Sequence, residues 1–412
     1  MPAKMSQIDR ILQCCARIEP SAVQSQLLVE LCADFSEWNG LRYRAEAEGL
    51  GPLLHKHLAV VKGELPDSFY RGMLLLRVRH RHVNALLMKS LTTILELLEA
   101  EGTPVIVLKG AALCQTLYPD VGLRPMRDID LLLSKEDVQH AHTFLQKNGF
   151  HTYSAVMPDD HFHLPPLYQD IDGVQICVEL HHDLFPSCPP YYSAISFAGL
   201  YRDAIAFDAG GVMGYMFAIE EMLYHLYEHG FHPPLTYEPY KLISVADIVG
   251  LVEKEVSTID WAKVESTYPR LFHALPFFHY LTPWSQEVLE KIPPLQSSVP
   301  AGVGQRFKGW PRVRIAAQKD KKIFDILRCT FSPVRWWVMI YYAPVGFFST
   351  LQCRFVQHPK HVFWWVKLYW RIFLEANQPE AANDHDPEKN WSFPLFFRNS
   401  RILFVAMVRK FS

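Results

Sequence analysis

Arg127-Asp128-Ile129-Asp130-Leu131-Leu132-Leu133 is the stretch that decides the fold of this chain. Its residue types predict a β-strand in which Asp128 and Asp130 share one face while Ile129 points into a core. Two carboxylates about 7 Å apart on one strand face repel each other, an arrangement most easily tolerated where divalent cations sit between them. The stretch therefore predicts a metal site.

Upstream, Pro104-Val105-Ile106-Val107-Leu108 is short, apolar and β-branched, which suits a buried strand, and Lys109-Gly110 follows it before helical spacing resumes over Ala111 to Leu117. A glycine between strand and helix lets the backbone approach a phosphate and presents free N–H groups, and Lys109 adds a point charge. Such turns are common, so the weight of this one comes from the acidic pair that begins 18 residues later. Arg124-Pro125-Met126-Arg127 sets two cations beside the acids, where Arg124 and Arg127 can hold phosphate oxygens or pair with the carboxylates. Ser134 with Asp137 forms a capping pattern that opens a helix ending near Gly149. Further on, Leu167 to Ile171 and Val174 to Leu180 flank Asp172-Gly173, a two-residue hairpin signal. Glu179, near the end of the second arm, is the best-placed third carboxylate if that arm lies beside the Asp128 strand in a mixed sheet. His181, two residues on and on the same face, could touch a phosphate or order the carboxylate. Two ions held by Asp128, Asp130 and Glu179 would activate an attacking hydroxyl, hold a triphosphate and stabilise departing pyrophosphate. The plain structural reading of the acids is a solvated strand edge paired to Arg127.

The 412 residues are 49% hydrophobic and 13% aromatic, enough for two or three domains with their own cores. The eight cysteines show no C-x-x-C pair and read as thiols of a reducing cytosol. Charged residues interrupt the N-terminus, so no signal peptide is expected, and no apolar run reaches the roughly 18 residues of a membrane span. Net charge is −2, yet residues 306–412 hold 18 Lys or Arg against 7 Asp or Glu. Periodicity predicts helices over residues 24–49, with Trp38, Leu41 and Ala45 as one stripe, and over residues 68–101, with Leu75, Val78, Leu86, Leu87, Leu91 and Ile94 recurring near 3.6. Later helices are expected over 219–228 and 240–253 and from Asp260-Trp261 onward. The predicted organisation is an N-terminal helical subdomain (1–102), a catalytic core (103–215), a helical subdomain (216–290), a linker (291–305) and a basic, aromatic-rich region (306–412).

Leu108-Lys109-Gly110-Ala111-Ala112-Leu113, Arg124 through Leu132 and Val178-Glu179-Leu180-His181 together resemble the bacterial, largely uncharacterised nucleotidyltransferase family of the polymerase-beta-like superfamily. The likeness extends over roughly Leu27 to Tyr268. It implies an α/β (α+β) fold, a small mixed sheet of nucleotidyltransferase type flanked by N-terminal and C-terminal helical segments. It further implies that Gly110 belongs to the nucleotide-binding turn, that Asp128 and Asp130 are the metal-ligand pair, and that Glu179 is the third carboxylate, where many members have Asp. Where the superfamily often has a serine after the glycine, this chain has Ala111, leaving phosphate binding to backbone N–H, Lys109 and metal. The expected cofactor is Mg²⁺, with Mn²⁺ as the alternative. The expected partners are a nucleoside triphosphate and an unidentified saccharide, peptide or protein acceptor. A non-catalytic, degenerate transferase that binds a membrane or partner, and glycosyl or phosphate transfer on the same scaffold, are the competing readings. Asn at position 128 or 130 is expected to abolish transfer and leave the fold intact or slightly more stable.

His161 with His163, His181-His182, and His225 with His229 and His232 have metal-like spacing, but no complete zinc set accompanies them, and ordinary packing or hydrogen bonding is the expected role of all but His181. Asp247 is expected to be a solvated helix residue rather than to approach the nucleotide. In the C-terminal region, Trp336-Trp337, Tyr341-Tyr342, Phe347-Phe348 and Trp364-Trp365 interleave with Arg335, Arg354, Lys360, Lys367 and Arg371. This mixture fits a buried aromatic core, an anionic membrane surface or, third, nucleic acid. The expected location is cytoplasmic, with peripheral attachment at the inner face of the membrane as the variant.

Overall fold

A computed structural model describes residues 6–153, 161–185, 196–231, 241–305, 307–310 and 323–375. They fall into two compact units, one of the described residues up to 299 and the other of those from 300 to 375. His232, Tyr240 and Arg306, which figure in the sequence reading, lie outside the described residues.

In the first unit, helices α1 (Gln7–Cys14), α2 (Ala22–Ala33), α3 (Trp38–Ala47) and α4 (Gly51–His57) lead into the 34-residue α5 (Asp67–Ala100). The run expected to be helical over 24–49 is thus two helices. Ser21 opens α2 with a reciprocal capping box to Gln24. Leu41 and Ala45 are buried as the stripe required, and Trp38 meets Phe35 at 4.7 Å and Phe69 at 4.9 Å between ring centres. On α5 the stripe through Leu86, Leu87, Leu91 and Ile94 is buried, but Leu75 and Val78 are exposed. The first half of α5 packs through Phe69 and Met73 instead.

The sheet consists of β1 (Ile106–Val107), β2 (Asp128–Leu132), β3 (Leu167–Ile171) and β4 (Val174–His181) in the order β1-β2-β4-β3. Strands β2 and β4 run parallel and the two outer pairs antiparallel, so the sheet is mixed. Asp172 and Gly173 take φ of 51° and 78°, the left-handed pair that closes a tight hairpin between β3 and β4. Ile129, Leu131, Val178 and Leu180 are buried, each contributing about 1.5–3 kcal/mol to the core. Helix α6 (Lys109–Thr116) follows β1 and α7 (Val138–Lys147) follows β2. Ser134 Oγ accepts from Asp137 N at 3.0 Å, one turn before α7 begins. Helix α5 is tied to the sheet by Ser90 Oγ, which donates to Gln169 Oε1 at 2.9 Å.

Beyond β4 come α8 (Phe197–Arg202), the ribbon of β5 (Ile205–Asp208) and β6 (Met213–Met216), then α9 (Ile219–Phe231), α10 (Leu242–Glu255), α11 (Trp261–Thr267), α12 (Pro269–Phe278) and α13 (Gln286–Leu289). Asp260 caps α11, accepting from Lys263 N at 3.0 Å.

The second unit contains α14 (Ile323–Phe331), α15 (Arg335–Tyr342), α16 (Gly346–Gln352) and α17 (His358–Glu375). A π turn over Cys353–Gln357 joins α16 to α17 without a break. Trp336, Trp337, Tyr341 and Trp365 are buried, with Trp337 stacked on Tyr341 at 4.4 Å and on Phe307 at 4.8 Å. Tyr342 Oη bridges His358 Nδ1 at 2.9 Å and His361 Nδ1 at 2.8 Å. No helix among the described residues is long and apolar enough to cross a membrane.

Candidate active site

The register of β2 against β4 assembles the site. Asp130 lies opposite Glu179, and Leu132 opposite His181, on parallel neighbours. Because alternate residues share a face, Asp128, Asp130, Glu179 and His181 project from the same side of two adjacent strands. Asp130, Glu179 and His181 each offer a donor atom, and these atoms lie within 4.8 Å of one another. Asp128, which the sequence reading placed in the metal set with Asp130 and Glu179, is outside that trio, one strand period away.

Lys109 reaches in from the turn after β1, its Nζ 3.3 Å from Asp130 Oδ2. Its φ of 39° is unusual for a residue with a side chain, and such conformations cluster at functional sites. The turn is anchored by Leu108 N, which donates to Asp130 O at 2.9 Å. His181 Nε2 lies 3.1 Å from Asp130 Oδ1 as a hydrogen-bond donor and 3.6 Å from Glu179 Oε2, beyond hydrogen-bond reach.

The two acids of β2 have opposite electrostatics. Burial, then the neighbouring Asp130 and Glu179 charges, push the Asp128 carboxyl up to about 6. Burial acts on Asp130 the same way, but Lys109 and the His181 hydrogen bond outweigh it and hold the group well below the usual carboxylate range. Glu179 is likewise buried in part, and His181 and His163 bring it below its ordinary value. Burial would lower His181, yet its hydrogen bond to Asp130 and the nearby Glu179 carboxylate raise it. Asp130 is therefore balanced by the chain itself, while the repulsion at Asp128 is only partly offset, by Lys109 and Arg124. A divalent cation would relieve that repulsion. Oxygen donors from Asp128, Asp130 and Glu179 suit Mg²⁺ or Mn²⁺, whereas the imidazole of His181 suits softer transition metals.

His161 and His163 make ordinary hydrogen bonds, as expected, but the structure also brings His163 beside the acids. His163 bridges to the end of β4 at His181, and its Nε2 lies 3.7 Å from Glu179 Oε2. Its Nδ1 is engaged by Leu164 O at 2.7 Å, so in the neutral ring Nδ1 carries the proton and Nε2 turns a lone pair toward the acids. Burial lowers the His163 pKa and favours that neutral form. No sequence signal announces this, because the placement comes from residues 161–164 running back along the last residues of β4, with Leu164 N donating to Leu180 O at 3.0 Å.

Arg124 does not pair with Asp128 or Asp130. Its Nε and Nη2 grip the buried Asp247 of α10 at 2.9 and 2.7 Å, and Tyr118 Oη donates to the same carboxylate at 2.6 Å. Asn84 of α5 fixes the approach by donating to Val121 O and to Arg124 O at 2.5 and 2.8 Å. Asp247 is thus a positioning residue, buried and paired rather than the solvated helix residue expected from the sequence. Gly110 is explained by the same side chain: a Cβ there would overlap Arg124 Nη1 and press on Met126. The glycine admits the guanidinium to the mouth of the turn. Arg127 is exposed and makes no ion pair among the described residues, so the strand-edge pairing with the acids is not formed.

A crystal structure of an antigenic nucleotidyltransferase-like protein from Paracoccidioides brasiliensis shares 16% identity, covering 50% of this chain and 96% of its own, at a TM-score of 0.31, too low to bear on the site. No curated protein matches the chain. Residues 34–287, more than half of the chain, match the family described as uncharacterised nucleotidyltransferase, and the match encloses β1, β2, β4 and every residue of the site. The chain belongs to the uncharacterised nucleotidyltransferase family.

Proposed function

We propose that the protein is a metal-dependent nucleotidyltransferase that moves a nucleoside monophosphate from a nucleoside triphosphate to a hydroxyl of a saccharide, peptide or protein acceptor, in a reducing cytoplasm. The observation that carries this reading is Asp130 in register with Glu179 on adjacent parallel strands, with Asp128 two residues before it on the same face. Asp128, Asp130 and Glu179 would hold Mg²⁺ or Mn²⁺, which when bound supplies charge neutralisation at the phosphates and a more acidic attacking hydroxyl. Lys109 supplies a fixed positive charge beside that cluster. The N–H groups at the start of α6 and the exposed Arg127 supply further contacts for phosphate oxygens, without a hydroxyl at Ala111. The acceptor oxygen forms a bond to the α-phosphorus as the bond to the bridging oxygen breaks. Pyrophosphate leaves, and the hydroxyl proton passes to a carboxylate of the cluster.

Labelled nucleoside triphosphates incubated with cell extract and Mg²⁺ should yield a labelled product with wild type and not with Asp130→Asn. Metal and triphosphate together should also raise the melting temperature of the wild type but not of that variant. Triphosphate binding without any product identifies the degenerate, non-catalytic alternative, and a labelled product lacking the nucleoside identifies phosphate transfer.

A further inference from the structure

The helix running through α16, the π turn and α17 is apolar on both sides. Cys353, His358, His361, Val362 and Trp365 face the core of the second unit and are buried. The opposite side carries Phe348, Phe355, Phe363 and Trp370, exposed to 84%, 68%, 67% and 45%. These recur at three- to four-residue multiples around the π turn, so they form one stripe along a helix some thirty residues long. A helix that is apolar all round is normally covered on all sides. The core of the unit is supplied by Trp336, Trp337, Tyr341 and Trp365, and Phe348, Phe355 and Phe363 stand outside it, exposed among the described residues.

The charge pattern says what covers it. From residue 326 to 374 the sequence holds six Lys or Arg and no Asp or Glu. Lys360 and Lys367, both exposed, stand seven residues apart on the flank of the Phe363–Trp370 stripe. A protein partner of ordinary composition needs no such exclusion of carboxylates, whereas a negatively charged sheet of headgroups does. With no described helix able to span a bilayer, the helix lies in the plane of the interface, rings in the acyl boundary and cations at headgroup level.

We propose that α16–α17 is an interfacial docking helix for an anionic lipid bilayer, with Phe348, Phe355 and Phe363 inserting and Lys360 and Lys367 pairing with headgroups. Docking of this kind would present the chain to an acceptor held at a membrane. It rests on the second unit and not on the transferase reading, so either can fail without the other.

Vesicles of phosphatidylcholine containing phosphatidylglycerol, and vesicles of phosphatidylcholine without it, should be sedimented with the full chain. Binding is expected to the first and to be at least tenfold weaker to the second. Lys360→Ala with Lys367→Ala should weaken binding by about fivefold per cation. Phe348→Ser, Phe355→Ser and Phe363→Ser combined should abolish it, with circular dichroism and melting temperature unchanged. A wild type that ignores anionic vesicles overturns the proposal. So does a dimer in sedimentation equilibrium that the triple variant dissolves, because the stripe is then the contact between two copies of the chain.

Discussion

The two units violate the ordinary rules of a soluble protein in opposite ways. The first buries charge: Asp130, His181 and Asp247 are nearly inaccessible, with Lys109 and Arg124 close against them. The second exposes aromatic surface while a separate aromatic core is complete beneath it. Buried charge costs free energy unless every partner is in place, and exposed rings cost it unless something arrives to cover them. The first arrangement is therefore closed and preorganised, and the second is open and awaits contact. Departures from local consistency of this sort mark where a protein works.

Asp130→Asn tests the closed arrangement most severely. It should reduce transfer by about a thousandfold. It should also destabilise the fold in urea titration, because it leaves Lys109 and His181 facing a neutral amide. This revises the expectation from sequence, in which either Asn variant was benign to folding. Asp130 is stabilised by its neighbours, so its contribution is present at neutral pH and is lost as pH falls through its depressed pKa.

Ring for ring, Trp337→Ala in the buried set of the second unit should cost about 3–5 kcal/mol, while Phe355→Ser on its outer face should change stability by less than about 0.5 kcal/mol. Equal losses from the two in thermal melts would show that the outer stripe is a covered core after all. Asp247→Ala leaves the Arg124 guanidinium buried without its carboxylate and should cost about 3 kcal/mol, with a drop in transfer larger than that of Arg127→Ala. Comparable rates in those two variants would mean that Arg124 only braces the fold.

The smallest effect distinguishes the two acids of β2. Asp128 has a carboxyl raised to about 6 over its ordinary value of 3.8, so in the folded chain it opposes ionisation. Its penalty is absent at pH below 4 and grows as pH rises through about 6. Asp128→Asn should therefore stabilise the metal-free protein at pH 7.5 and not at all at pH 4, while still abolishing transfer. Metal affinity of the wild type should fall as pH drops below about 6, which calorimetric titration with Mn²⁺ would register.

The share legible from the sequence was the local share. The strand of Asp128 and Asp130, the Asp172-Gly173 hairpin and the helices after β1 and β2 follow from side-chain alternation, turn chemistry and helical period, each acting over a few residues. The placement of Glu179 beside the Asp128 strand was also within reach, because a third carboxylate has to come from a neighbouring strand. Three things were not legible. His163 enters the site through a bridge to His181, Arg124 is drawn to Asp247 across 123 residues of chain, and half of an aromatic-rich helix faces outward. Composition gives the same weight to a buried and an exposed phenylalanine.

What the sequence determined by itself is that two carboxylates share a strand face, that a lysine and a glycine follow the preceding strand, and that cations without acids fill the stretch from 326 to 374. What only the tertiary structure decided is the state of those groups. Asp130 is ionised and braced because Lys109 and His181 converge on it from other elements, and Asp128 is strained because burial and the Asp130 and Glu179 charges outweigh the pull of Lys109 and Arg124. Chain connectivity sets which residues share a face, but charge and burial depend on distances between residues far apart in sequence, and those are fixed only when the sheet and helices pack.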